Sequence, residues 1–237
     1  MSAEADSVDS LEGIESKHKL KILPEDSSYD LSFKLIVIGD IYVGKSCLTN
    51  KAVKNVFSDE YCNTIGFEYF TFTIKVDNKI IRLQIWDTCG QEMYRSLITN
   101  FYRNTSLAII VYAINNYKSF ESIDSWLKEL RKNGNPDVKI FLIGNKADLE
   151  EERKVSKELG TKFYQDNKMN GFMEASAKTG LNAKKIFVRA AELLYENYEI
   201  YNKISGQNSH LAEKLERANI QLNNVPKKKQ KKCCSQK

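Results

Sequence analysis

Proline is scarce in this chain, three in 237 residues, and glycine is modest at eleven. That excludes a collagen-like repeat and a proline-rich spacer. Long apolar runs are missing as well. The longest, Leu107 to Ile114, is eight residues, far short of the roughly 20 that a membrane-spanning helix needs. Cysteines are few and odd in number: Cys47, Cys62, Cys89, Cys233 and Cys234. No spacing among them suits zinc, and no basic-then-apolar leader opens the chain. Reduced thiols in the cytosol are the expectation. What remains is a globular balance, 42% hydrophobic and 28% charged, which excludes a wholly disordered chain and suits one α/β domain with extensions.

The net charge of +5 is unevenly spread. Residues 1–30 hold eight acids against Lys17, Lys19 and Lys21, while residues 225–237 hold six lysines and no acid. The basic excess is therefore a tail, not a face. This argues against nucleic-acid binding by the body and points to an anionic surface meeting the C terminus. Residues 1–31 read as an acidic, flexible extension, in which Leu11, Ile14, Leu20, Ile22 and Leu23 offer at most a short helix.

From Ser32 the pattern tightens. Phe33–Ile38, Leu107–Ala113, Ile140–Ile143 and Phe172–Ala175 are short apolar runs of strand length. Phe67–Val76 alternates, and after Asp77-Asn78 the alternation resumes with Ile81, Leu83 and Ile85, which predicts a hairpin. Helices are expected over 45–56, around Phe120–Leu130, over 152–166 and from Ile186 onward. Strands alternating with helices predict an α/β fold. Its sheet is six-stranded and mostly parallel, with one antiparallel edge strand and helices on both faces. Ligands bind such sheets at the carboxyl ends of the strands.

The loops at those ends carry motifs. After the first strand, Gly39-Asp40-Ile41-Tyr42-Val43-Gly44-Lys45-Ser46 matches the phosphate-binding pattern G-x-x-x-x-G-K-[ST]. Backbone amides from Asp40 to Cys47 and the helix N-terminus would cradle phosphates. Lys45 would reach the β- and γ-phosphates, and the Ser46 hydroxyl would ligate Mg²⁺. After the third strand, Asp87-Thr88-Cys89-Gly90-Gln91 offers a metal carboxylate (Asp87), a glycine whose N–H can meet the γ-phosphate (Gly90) and a residue to orient the attacking water (Gln91). After the fifth, Asn145-Lys146-Ala147-Asp148 offers a carboxylate for guanine N1–H and its exocyclic amine, a pair of donors that adenine lacks. Lys146 would lie over the base and Asn145 would tie loops together. After the sixth, Ser176-Ala177-Lys178 could present the Ala177 N–H to guanine O6.

Four such signals in order resemble a Ras-superfamily small GTPase, with a P-loop G domain over 32–200, and within that superfamily a Rab. The Rab-like stretches are Ile65-Gly66-Phe67-Glu68-Tyr69, Trp86 to Glu92, and Phe101-Tyr102-Arg103. The resemblance implies that Thr64 binds Mg²⁺ and the γ-phosphate, and that Phe57 lies against the guanine ring. It implies that Ile65, Gly66, Tyr69, Trp86 and Phe101 form the effector surface; for Trp86, plain core packing is an equal alternative. It also implies a GTP/GDP switch with effectors, an exchange factor and a GTPase-activating protein acting on a monomer.

The chain departs from the family pattern at Ile41 and Tyr42, where small or polar residues and glycine are usual, and at Cys89, Met93 and Ala113. A bulky Ile41 or Tyr42 would alter hydrolysis or exchange, unless both side chains point outward. The tail, 201–237, thins into polar residues and ends in five lysines, Cys233, Cys234 and a three-residue trailer. A paired cysteine in that position resembles Rab tails that carry two geranylgeranyl groups. The expectation is lipid anchoring on the cytoplasmic face of an intracellular membrane, cycling with the cytosol through a prenylation escort and a GDP-dissociation inhibitor. Two other functions stay open on sequence alone. One is a GTP-binding scaffold with negligible hydrolysis; the other is a soluble GTPase in nuclear transport.

Overall fold

The computed structural model describes residues 11, 14–58, 66–90, 101–205 and 221–222. Among the described residues eight strands form one sheet: β1 (Leu20–Leu23), β2 (Leu31–Ile38), β3 (Phe67–Val76), β4 (Lys79–Thr88), β5 (Leu107–Ala113), β6 (Lys139–Asn145), β7 (Gly171–Glu174) and β8 (Gln221–Leu222). The order is β1-β3-β4-β2-β5-β6-β7, with β8 pairing with β2 off this path. The hairpin forms as its alternation predicts, Tyr69 facing Trp86 and Val76 facing Lys79 across the register. β4, β2, β5, β6 and β7 run parallel.

The strand count corrects the expectation of six. β1 pairs antiparallel with β3, Leu20 opposite Val76 and Leu23 opposite Thr73. The antiparallel β3 therefore lies one strand inside the edge. β1 falls in the segment expected to be a flexible arm with at most a short helix. Its burial alternates with period two from Ile14 to Ile22, apolar or hydrogen-bonding residues inward and Glu15, Lys17, Lys19 and Lys21 outward. That is a strand pattern.

The arm is also held by polar contacts. His18 Nδ1 lies 2.7 Å from Asp77 Oδ2, and the Lys19 N–H donates to Asp77 Oδ1 at 2.9 Å. Lys17 pairs with Glu196 at 2.9 Å. The Ser16 hydroxyl donates to Glu192, and Arg189 donates to the Glu15 carbonyl.

β2 alternates between two cores. Leu31, Phe33, Leu35 and Val37 pack with α1 (Lys45–Lys54) and α5 (Ala183–Ser205) on one face. Ile36 and Ile38 pack with α2 (Tyr117–Glu121) and α3 (Ile123–Asn133) on the other. On α3 the buried residues Ile123, Trp126, Leu127 and Leu130 fall at i, i+3, i+4 and i+7. α4 (Lys157–Asp166) is shorter than predicted, starting at the Ser156 cap, whose side chain accepts from the Leu159 N–H. The two cores fix every parallel strand from both sides, and so fix the row of loops at their carboxyl ends.

Candidate functional site

The loops after β2, β4, β6 and β7 meet at one end of the sheet. Asn145 Nδ2 donates to the Val43 carbonyl at 2.8 Å, tying the β6 loop to the β2 loop. Its Oδ1 accepts from the Ala177 N–H at 3.3 Å, tying in the β7 loop. The Ser176 hydroxyl donates to Asp148 Oδ1 at 2.6 Å and so orients that carboxylate. Asn145, Ser176 and Ala177 are buried, while Asp148 and Lys178 are exposed and Lys146 is half-buried at a φ of 64°. This is a rigid inner frame carrying a solvent-facing carboxylate.

The β2 loop wraps Lys45. Its ammonium is buried and donates to the Gly39 carbonyl at 3.0 Å and the Asp40 carbonyl at 2.8 Å. Burial pulls its pKa below the ordinary lysine range, against Asp87 and Asp40, which pull it up. Asp87 is fully buried at the end of β4, and neither carboxylate oxygen meets a hydrogen-bond donor in good geometry. Burial pushes its pKa up to about 7, with the nearby Ser46 hydroxyl and Lys45 pulling the other way. A buried carboxyl short of donors, beside a hydroxyl and a cation, fits a hard divalent cation. Among the described residues no cluster of three or more His, Cys, Asp or Glu could hold a metal. A cation here would take one carboxylate, a hydroxyl and oxygens from a ligand.

Gly90 closes the cradle. A Cβ there would fall 2.5 Å from both the Asp40 carbonyl carbon and the Ile41 nitrogen, so only glycine lets the β4 loop lie on the β2 loop. Cys89 is buried and Cys47 half-buried, and neither forms a disulfide among the described residues.

Tyr42 sits in the left-handed region at a φ of 65°, with its side chain 54% exposed. It points outward, while Ile41 is half-buried, so the alternative in which both side chains point outward holds for Tyr42 alone. Left-handed backbone strains a residue with a Cβ by about 1–2 kcal/mol. Tyr42→Gly is therefore expected to stabilise the protein by about 1 kcal/mol after the glycine's larger unfolded-state entropy is subtracted. A higher urea midpoint checks this; an unchanged or lower one means that the contacts of the ring outweigh the strain.

Beside this site lies an aromatic patch. Tyr69 and Trp86 meet edge-on at 5.1 Å, and Trp86 and Phe101 lie at 5.3 Å. Phe67, outside the expected effector surface, joins both, at 5.1 Å from Trp86 and 4.8 Å from Phe101. Its signal was the two-residue spacing to Tyr69 on one face of β3. Lys34 Nζ lies over Trp86 and Phe101 at 5.6 and 5.7 Å. Phe67 and Tyr69 are nearly half exposed, so the patch is a surface as well as a support for Trp86.

Phe57, after α1, is half-buried against the main core. Gly66 precedes β3 at a φ of 79°. Thr64, Ile65, Gln91, Cys233 and Cys234 lie outside the described residues.

The comparisons agree with this geometry. The model of the Ras family matches residues 34–196. The chain is 39% identical over 213 residues to Ras-related protein Rab11B of Nicotiana tabacum, covering 89% of this chain and 96% of that one. It is 42% identical over 178 residues to Ras-related protein RABA1b of Arabidopsis thaliana, covering 75% and 81%. It is 38% identical over 201 residues to Ras-related protein Rab-8 of Diplobatis ommata, covering 85% and 91%. With four converging loops and a match over most of its length, the chain belongs to the Rab family of Ras-related small GTPases.

Proposed function

We propose that this GTPase works as a lipid-anchored switch in vesicle traffic, cycling between cytosol and the cytoplasmic face of an intracellular membrane. The observation that carries its chemistry is the meeting of Lys45, Asp87 and Gly90 beneath the β2 loop. In this reading amides from Asp40 to Cys47 receive the phosphates, and Lys45 exchanges loop carbonyls for β- and γ-phosphate oxygens. Ser46 and Asp87 would hold Mg²⁺, together with Thr64. The ion they would hold would supply positive charge against that building on the phosphate oxygens. Gln91 orients a water in line with the γ-phosphorus; the new P–O bond forms as the bond to the GDP oxygen breaks. Asp148 reads the guanine N1–H and amine, Ala177 N–H reads O6, and Lys146 and Phe57 flank the base.

The switch follows from Gly90 and Thr64. Their N–H groups hold the loops to a γ-phosphate and lose that partner with GDP. The neighbouring patch of Tyr69, Trp86 and Phe101, with Ile65 and Gly66, meets effectors in the closed state. An exchange factor and a GTPase-activating protein act on the same loops. Residues 32–200 form the G domain, flanked by 1–31 and the tail 201–237.

Among the described residues no helix is long and apolar enough to cross a membrane. Attachment in this reading comes from geranylgeranyl groups on Cys233 and Cys234, aided by the lysines on an anionic leaflet, since two signals anchor where one binds marginally. An escort protein presents the chain for prenylation, and a GDP-dissociation inhibitor retrieves it.

The test is mass spectrometry of protein from its own cells. GDP or GTP is expected at one per chain, with two geranylgeranyl groups on the peptide holding Cys233 and Cys234. An unmodified peptide overturns the anchor and leaves the nucleotide chemistry standing; adenine nucleotide overturns the Asp148 role.

A further inference from the structure

One contact stands apart. Trp126 Nε1 donates to Asp40 Oδ1 at 2.7 Å, across 86 residues of sequence. Trp126 is buried on α3 among Ile123, Leu127 and Leu130, so its ring is fixed by the core.

Asp40 sits at a junction. Its carbonyl accepts from Lys45 at 2.8 Å, and its backbone is the surface on which Gly90 rests. Its carboxylate is also close enough to Lys45 to act on that charge. An aspartate in a loop built for phosphates is a puzzle. Its charge repels the ligand, and it competes with the ligand for the one buried ammonium of that loop.

We infer that Trp126 is a positioning residue for the nucleotide: its indole N–H holds the Asp40 carboxylate toward α3, leaving the Lys45 ammonium to the phosphates. This rests on the reading that Lys45 takes phosphate. The bond is short and its acceptor is charged, the stronger kind of hydrogen bond. It also fixes the peptide between Asp40 and Ile41, where Gly90 packs. Without it the carboxylate turns to Lys45, and the loop presents a neutralised pair in place of a free cation.

The test is the release rate of a fluorescent GDP from the full chain in Mg²⁺. Trp126→Phe keeps an aromatic side chain and loses the indole N–H, and release is expected to accelerate about tenfold. Asp40→Asn keeps an acceptor for Trp126 and loses the charge, and release is expected at or below the wild-type rate. The double variant is expected to return to the wild-type rate, because no carboxylate remains to compete. A mere packing role for Trp126 gives the opposite: the double variant releases GDP as fast as Trp126→Phe. That result, or an unchanged rate in Trp126→Phe, overturns the inference. Should Trp126→Phe fail to fold, Asp40→Asn alone decides, and a several-fold faster release overturns it. A Lys45→Ala protein that still retains GDP overturns the phosphate reading itself and is distinguishable from both.

Discussion

Asp148→Ala is expected to weaken GDP binding by about a thousandfold. The side chain is exposed, so the fold loses little. The loss is chemical. A carboxylate that accepts from guanine N1–H and from the exocyclic amine makes two charge-assisted bonds, each worth about 1.5–3 kcal/mol. Together they give about 4 kcal/mol, or close to three decades in affinity. The Ser176 hydroxyl, which now donates to Asp148, loses its acceptor too.

Inosine diphosphate, which lacks the exocyclic amine, makes the experiment specific. The wild type is expected to prefer GDP over inosine diphosphate by tenfold or more, and the variant to bind the two within a factor of about two. Titration of both nucleotides checks this. A variant that keeps the wild-type preference shows that another group reads the amine.

The second large effect has opposite signs in two assays. Asp87→Asn is expected to bind GDP at least a hundredfold more weakly in Mg²⁺, because asparagine offers the cation an oxygen without a charge. The same variant, free of metal and nucleotide, is expected to be more stable than wild type at pH 8. In the folded chain the Asp87 carboxyl titrates near 7, against an ordinary value of 3.8. Between those values the folded state keeps a proton that the unfolded state releases. Wild-type stability therefore falls as pH rises from about 4 to about 7, and no further from this cause. Asparagine has no proton to lose. The two proteins converge near pH 4 and differ by about 4 kcal/mol at pH 8. Urea unfolding at the two pH values checks the sign. A variant less stable at pH 8 shows that Lys45 and Ser46 compensate the buried charge in full.

The four loops were legible in the sequence because each motif is local. Gly39 to Ser46, Asp87 to Gly90 and Asn145 to Asp148 each lie on one short turn after an apolar run. The hairpin around Asp77-Asn78 was legible for the same reason. What sequence reasoning missed depends on distant partners. The acidic composition around β1 predicts a mobile arm; it outweighs the two-residue alternation from Ile14 to Ile22, and the partner strand β3 lies some fifty residues on. Trp126 fits the helical period of α3, which predicts a core residue; periodicity does not reveal a bond to Asp40. Phe67 belongs to a family pattern, yet its contacts with Trp86 and Phe101 appear only once β4 and the chain beyond it are folded beside β3.

The arm has a mechanical meaning. α5 runs from Ala183 to Ser205 and leads directly into the tail. Its middle turns are gripped at Arg189, Glu192 and Glu196 by residues 15–18, which are themselves fastened to Asp77 at the hairpin turn. In the proposed anchored state a pull from the tail enters α5 at its C-terminal turns, and the arm gives that load a second path into the sheet edge at β3, beside the packing of α5 on α1 and the sheet.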